Sequence, residues 1–446
     1  MQILASEEYG GREPGTPGGR LTEQYLIDEL GSYGFQPAAP GGGWRQNFGL
    51  VRYSPGPAVL SMQGPKARFS LSGEGLLLKY SAPRVRLEDR GAVFVGSAEG
   101  LEEGSLSGQI ALVRPLAYQD FTNELRDAEP AVIVALFEDE ESFAESKERM
   151  GKGRFDLVGG ESSRQGILLV SPEKTREFTE TIGKSLDEMT QLTQLYKGPY
   201  LVDEKAGLVA DLQGENRETA NIVGVLPGKV RGSGVVMLMS HWDHLGICRP
   251  DDPIDPLCNG AIDNASGVGM MLETARRVAV AGPLDRDLYV IGLTSEEMGL
   301  LGAQVLADDP PAPLLSVVAA FNMDSMAIAP RGSTISVVGG GLTPLDAGIR
   351  EVAAALGRKV ELDVDNEQFV QRQDGWIFLS RDVPTVVVSS WMGDKKRFDD
   401  FMATRYHKPS DEWRPDLELG GATEDIFLHV ELLRYFGNEA TYRLGG

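Results

Sequence analysis

Several side chains in this sequence have the type and spacing to hold two metal ions. His241 and Asp243 end the apolar run VVMLMS, Glu296 and Glu297 follow DLYVIGLT, and Asp324 follows SVVAAFNM. Asp263 stands in NGAIDNASG, ahead of a helix-periodic segment, and Tyr406 and His407 stand in the polar loop RYHKPSDEW. Zinc accepts imidazole nitrogen and carboxylate oxygen, and a catalytic site leaves one position for water. Two such ions about 3.5–4 Å apart can share a bridging carboxylate. Asp263, on a Gly/Asn-rich turn, is suited to bridge. One ion then takes His241 and Asp324, the other Glu297 and His407. Glu296, beside a ligand but not itself bound, is placed to be a general base. Strand alternation sends His241 and Asp243 to one side and Trp242 and His244 to the other. Asp243 is thus the orienting carboxylate for His241, and His244 is read as a non-ligand.

Each residue also has a plainer reading. Glu296 and Glu297 could be first-turn carboxylates favoured by a helix dipole, with Thr294 and Glu297 forming a T-x-x-E capping box. Asp324 could cap a turn, and His407 could be an ordinary surface or core histidine. His429 falls inside a helical pattern and is read as a non-ligand. DNASGVG lacks the Lys-Ser/Thr of a phosphate loop. What favours the joint reading is that these groups occur together, in this order, with His241, Glu297 and Asp324 at the ends of strand-like runs.

The elements that must position them alternate. ANIVGVLPG, GVVMLMS, DLYVIGLT, SVVAAFNMD, TISVVGG and TVVVSS read as strands. Helical segments at 267–280, 300–307, 344–356 and 424–435 lie between and after them. Strands apolar along their whole length are covered on both faces, which predicts an α/β, doubly wound, mainly parallel sheet flanked by helices. Ligands of such a sheet bind beyond the carboxyl ends of its strands. Before this block, RLTEQYLIDELGSY is helix-periodic and residues 44–51 read as a strand. From about residue 53 the texture changes to short β-like runs, Gly-containing turns and acidic helices. The expected organisation is residues 1–52 and 206–446 as one domain, with 53–205 as a β-rich insert.

With 446 residues, 41% of them hydrophobic, and a net charge of −23, the chain suits a globular protein and not a nucleic-acid binder. That charge also disfavours anionic membranes, and no apolar run reaches the length of a membrane span. The two cysteines, Cys248 and Cys258, share the loop between His241 and Asp263. They are either a loop-stapling disulfide, which favours an oxidising compartment, or two free thiols.

In their order, SHWDHLG, NGAIDNASGVGMMLE, TSEEMGLLGA, NMDS and YHKPSDE resemble the zinc-dependent exopeptidases that include bacterial leucyl aminopeptidases and glutamate carboxypeptidases. EEYGGREPGTPGGRLTEQYLIDELGSYGFQP is similar to the N-terminal segment of that family. SLSGQIALVRP followed by AEPAVIVALFED is similar to a protease-associated (PA) domain. The resemblance implies two Zn2+ per chain held by His241, Asp263 (bridging), Glu297, Asp324 and His407. It also implies Glu296 as base, Asp243 orienting His241, and Tyr406 polarising the substrate carbonyl. In RQDGWIFLSRDVPTVVVSS, Gln373 and Gly375 stand where the family usually has Ser and His, so specificity can differ. The implied activity is hydrolysis of terminal peptide bonds, foremost as an aminopeptidase on peptide substrates. Alternatives are a carboxypeptidase, a dipeptidase or another amide hydrolase on the same site, and further off a receptor-like binding protein or a glutaminyl cyclase. The chain begins almost where mature secreted members begin, so the expected location is periplasmic or extracellular after loss of a signal peptide, with the cytoplasm as alternative.

Overall fold

Runs rich in apolar residues become the inner strands of one sheet. In the computed structural model these are β2 (Val235–His241), β3 (Asp287–Leu293), β4 (Val317–Asn322) and β7 (Thr385–Ser389). With β1 (Gln213–Leu226), β5 (Ile335–Val338) and β6 (Val360–Glu361) they lie in the order β6–β5–β7–β4–β2–β3–β1. Strands β3, β2, β4 and β7 are parallel to their neighbours in that series. The sheet is mixed toward its margins, where β1 runs antiparallel to β3 and β5 antiparallel to β7. The four central carboxyl ends therefore open on one edge.

Helices cover both faces. Val236 and Leu238 of β2 pack with residues of α1 (Pro17–Ser32), α2 (Ala265–Ala281), α4 (Asp346–Ala355) and α7 (Gly420–Gly437). The alternate residues Val235, Met237 and Met239 pack with α3 (Leu301–Asp308) and with Phe378 of α5 (Gly375–Leu379). This is the doubly wound α/β architecture predicted from sequence. A further helix, α6 (Lys395–Thr404), ends just before the Tyr406–His407 loop.

The structure describes residues 1–443 apart from 81, 116–121, 152–153, 161–164, 251 and 363–366. The chain divides into one unit of Met1–Gly49 with Arg217–Gly446, and another of Leu50–Asn216. The second carries an eight-stranded sheet with Tyr200–Asp211 as one of its strands. That strand pairs antiparallel with Ala58–Gln63 and with Arg84–Val95. The unit therefore runs beyond residue 205, where the change of texture put the expected boundary. Residues 206–211 read as the start of the next block, yet they complete this sheet.

Candidate metal centre

Asp263 is the centre of the site. Its Oδ1 lies 3.5 Å from His241 Nε2, which is also 3.5 Å from Asp324 Oδ1. Its Oδ2 lies 3.3 Å from His407 Nε2, which is 3.0 Å from Glu297 Oε2. The two oxygens of one carboxylate thus face two separate donor sets. For zinc bonds of about 2.0–2.1 Å in a tetrahedron, neighbouring ligand atoms stand roughly 3.3–3.4 Å apart. The observed spacings match that edge, so the residues present fit zinc.

Local structure explains the placement. Asn264 caps α2, accepting from Gly267 N at 3.0 Å, as Asn commonly does at a helix start. The same side chain donates to the carbonyls of His241 (3.2 Å) and Met323 (3.0 Å) and accepts from Ser325 N (3.1 Å). One cap therefore ties together the segments carrying His241, Asp263 and Asp324. Asp411 is fully buried and accepts from the backbone of Ile262 and Asp263, both at 3.0 Å, while Arg405 holds its other oxygen at 3.1 Å. Gly260 allows the turn before Asp263 to close: its φ is +58°, and a Cβ there would sit 2.5 Å from the His244 ring. The Asp263–Asn264 peptide bond is cis. Cys248 and Cys258 form a disulfide that joins the short paired segments Gly246–Ile247 and Leu257–Cys258. Of the two readings open from sequence, the stapled loop is the one found.

All the residues predicted from sequence gather here, with three differences in detail. His244 does not face away: it is fully buried, and its Nδ1 is 2.6 Å from Glu297 Oε1 and 4.0 Å from Asp263 Oδ2. The cause is that β2 ends at His241, so strand alternation no longer governs the next residues. Asp243 lies near His241, but it is its backbone oxygen that stands 3.2 Å from Nδ1, with the carboxylate at 3.7 Å. The carboxylate instead accepts from Glu296 N at 3.2 Å and Glu297 N at 3.4 Å, holding the turn that presents both glutamates. Finally, Glu296 and Glu297 belong to no helical first turn, because α3 starts only at Leu301 and the capping-box reading fails. His429 lies in α7, its Nδ1 2.7 Å from Asp425 O, away from these groups as expected.

The electrostatics suit a cation. Burial, with repulsion from Glu297, Asp324 and Asp374 and only His241 opposing, pushes Glu296 well above the usual carboxylate range. Burial acts to raise Glu297 as well, but His407 and His244 carry it well below that range. His407, which burial alone would lower, is raised to about 11 by Glu297 and Asp263. Protonated histidines thus compensate carboxylates packed at short range. A dication held among the same oxygens would take over that role, with the histidines as neutral ligands. Near the site, Asp374 is fully buried, and neither carboxylate oxygen has a hydrogen-bond partner among the described residues.

A cleft opens beside these groups, bordered by Glu296, Phe369, Arg372, Trp391, Met402 and Tyr406. The Tyr406 ring stacks on His407 with centroids 3.8 Å apart. Sequence reasoning passed over Asn264, Asp411, Arg12 and Asp374. Asn264 alone carried a readable signal, as an N-cap residue before an apolar-periodic helix.

Residues 221–430 match the model of peptidase family M28. The chain is 33% identical over 94 residues to aminopeptidase YwaD of Bacillus subtilis (strain 168), a match covering 21% of this chain and 18% of that relative. Its fold is similar to that of an aminopeptidase from Aneurinibacillus sp. strain AM-1, with a TM-score of 0.55 and 16% identity, covering 97% of this chain and 91% of that one. It is also similar to BSAP, a zinc aminopeptidase from Bacillus subtilis, with a TM-score of 0.54 and 17% identity over 99% and 95% of the two chains.

Proposed function

Because residues 221–430 carry a peptidase family M28 domain, we propose that the chain is a metallo-aminopeptidase working with two zinc ions. The observation that carries this reading is Asp263, whose two oxygens each face a His–carboxylate pair at the edge length of a zinc tetrahedron. The proposed ligands are His241 and Asp324 for one ion and Glu297 and His407 for the other, with Asp263 between them. When bound, the ions supply an acidified water and polarise the scissile carbonyl.

The chain's own groups do the rest. Glu296, raised by burial, takes the proton of the attacking water and returns it to the leaving amine. Tyr406 borders the cleft beside Glu296 and donates its hydroxyl proton as a hydrogen bond to the developing oxyanion. Asp243 keeps Glu296 and Glu297 in register through their backbone N–H groups. Phe369, Trp391 and Met402 in the cleft suit a large apolar side chain next to the scissile bond.

One observation favours a second reading. Arg372 also borders the cleft, its guanidinium 5.7 Å from the Phe369 ring centroid, and could receive a carboxylate. That would suit a carboxypeptidase or dipeptidase. The disulfide supports a periplasmic or extracellular location, and the Leu50–Asn216 unit is proposed to be a PA-like domain. The deciding experiment compares aminoacyl chromogenic substrates with N-blocked peptides, with and without chelator, alongside zinc analysis. Chelator-sensitive cleavage of free-amino substrates only, with two zinc ions per chain, is the expected result. Cleavage of blocked substrates with a free C-terminus would replace the first reading by the second.

A further inference from the structure

Arg12 lies outside every role assigned so far, yet it is fully buried beneath the metal centre. Its Nε donates to Trp242 O at 2.8 Å, Nη1 to Leu4 O at 2.8 Å and Asn259 O at 2.7 Å, and Nη2 to Gly260 O at 3.0 Å. Trp242 stands between His241 and Asp243. Asn259 and Gly260 lead into the Asp263 turn. One planar group therefore holds the backbones of both ligand-bearing loops. A buried guanidinium is costly unless its donors are satisfied, and here carbonyl oxygens satisfy them. Among the described residues no carboxylate lies within ion-pair distance of Arg12; Asp263, Asp243, Asp411 and Glu297 act on it from further away. Its anchorage is equally tight. The preceding Gly11 has φ +61°, and a Cβ there would meet Cys258 O at 2.3 Å and Gly246 Cα at 2.8 Å. The Gly11–Arg12 backbone is thus seated against the disulfide-linked segments.

We propose that Arg12 is a positioning residue whose guanidinium fork fixes the His241 loop against the Asp263 loop and so sets the zinc affinity of the site. The inference rests on the reading of the site as a zinc centre. Fork geometry matters because Lys, a point charge with donors on a single atom, cannot reach carbonyls in several directions at once. Outer partners of metal ligands typically contribute 10–100-fold in metal affinity.

Charge and geometry predict opposite signs for one variant, which makes the proposal testable. If Arg12 acted only as a charge, Arg12→Met would relieve repulsion toward a dication and tighten zinc binding. If it acts as a positioning fork, Arg12→Met weakens binding, and Arg12→Lys, which keeps the charge, weakens it too. The experiment is zinc titration of the full chain against a chromophoric chelator for the unaltered protein and both variants, with circular dichroism and thermal melts in zinc-free buffer. The expected result is folded variants with zinc affinity reduced at least about tenfold in each. Unchanged affinity in Arg12→Lys, or tighter binding in Arg12→Met, overturns the proposal. Failure of both variants to fold makes Arg12 a folding residue and overturns it as well. Absence of zinc binding by the unaltered protein would instead remove the zinc-centre reading on which the proposal rests.

Discussion

His244→Phe is the most informative change at the site, because His244, Asp263 and Glu297 stand close enough to hold a metal ion while His407 faces the same two carboxylates. Glu297 is divided between two histidines: Oε2 is 3.0 Å from His407 Nε2 and Oε1 is 2.6 Å from His244 Nδ1. Only the Oε2 side shares the triangle with Asp263 Oδ2, at 3.3 Å from His407, whereas His244 is 4.0 Å from that oxygen. On these distances His407 is the proposed ligand and His244 the proposed outer partner that orients Glu297. Phe retains the ring and removes both nitrogens. An outer partner lost in this way costs about 10–100-fold in metal affinity, which is about 1.4–2.8 kcal/mol at one decade per 1.4 kcal/mol. The zinc stoichiometry should remain two while one of the two affinities falls by that factor. Because zinc binds the folded state, the stability deficit of His244→Phe should be larger with zinc than without. Titration against a chelator, with melts in both conditions, measures both quantities. Loss of one zinc outright would make His244 a ligand, and unchanged affinity would make it a bystander; either result refutes the assignment.

Glu296→Gln should lower turnover by roughly 10²–10⁴ with zinc content unchanged, as read by steady-state rates beside metal analysis; near-normal rates would remove Glu296 as base. Tyr406→Phe should cut kcat about 10²–10³-fold with little change in KM, and a rise in KM alone would make Tyr406 a binding group. Asp411→Asn breaks a buried pair with Arg405 and weakens the hold on Ile262 and Asp263; denaturant unfolding should show a loss of about 3–5 kcal/mol. Burial lowers the pKa of His429 in the folded state, so unfolded chains bind the extra proton first. The stability His429 contributes as a neutral group is present above about pH 6.5 and is lost as pH falls toward its folded value, at up to about 1.4 kcal/mol per pH unit. His429→Gln should flatten that acid slope in urea melts, and an identical slope in both proteins would count against it.

The convergence of the proposed metal ligands was legible because a parallel sheet turns order in sequence into adjacency in space. Val235–His241 is buried at every position, and that continuous apolar character marks an inner strand. Once the inner strands are identified, His241, Glu297 and Asp324 must emerge at neighbouring carboxyl ends. The same logic misplaced His244, because alternation was extended past the last residue of the strand. It also gave Asp243 a contact with His241 through its carboxylate, whereas that carboxylate holds the Glu296–Glu297 turn. Alternation says which side of the sheet a residue faces, not which loop will fold over it.

What remained unreadable shares a physical cause. Arg12 and Asp411, and Asn264 in its contacts beyond the cap, act on backbone groups far away in sequence, and a backbone carbonyl or N–H leaves no residue-type signature at the receiving end. Arg12 reaches carbonyls 230 and 248 positions later. Asp411 holds amides 148 and 149 positions earlier. Side chains that bind metal advertise themselves by type, but those that hold the ligands still can be any donor or acceptor that the fold delivers. The site therefore has two layers of different legibility. Zinc chemistry restricts the inner layer to Cys, His, Asp and Glu, while the outer layer is restricted only by the requirement that buried polar groups find partners. Some local strain lies between the layers: Ser295, Ser325 and His407, all with φ between 51° and 58°, adjoin or are proposed metal-site residues. Such conformations persist only where their surroundings over-determine them, and here the surroundings include the Asp243 contacts to Glu296 and Glu297, next to Ser295, and the Asn264 contact to Ser325.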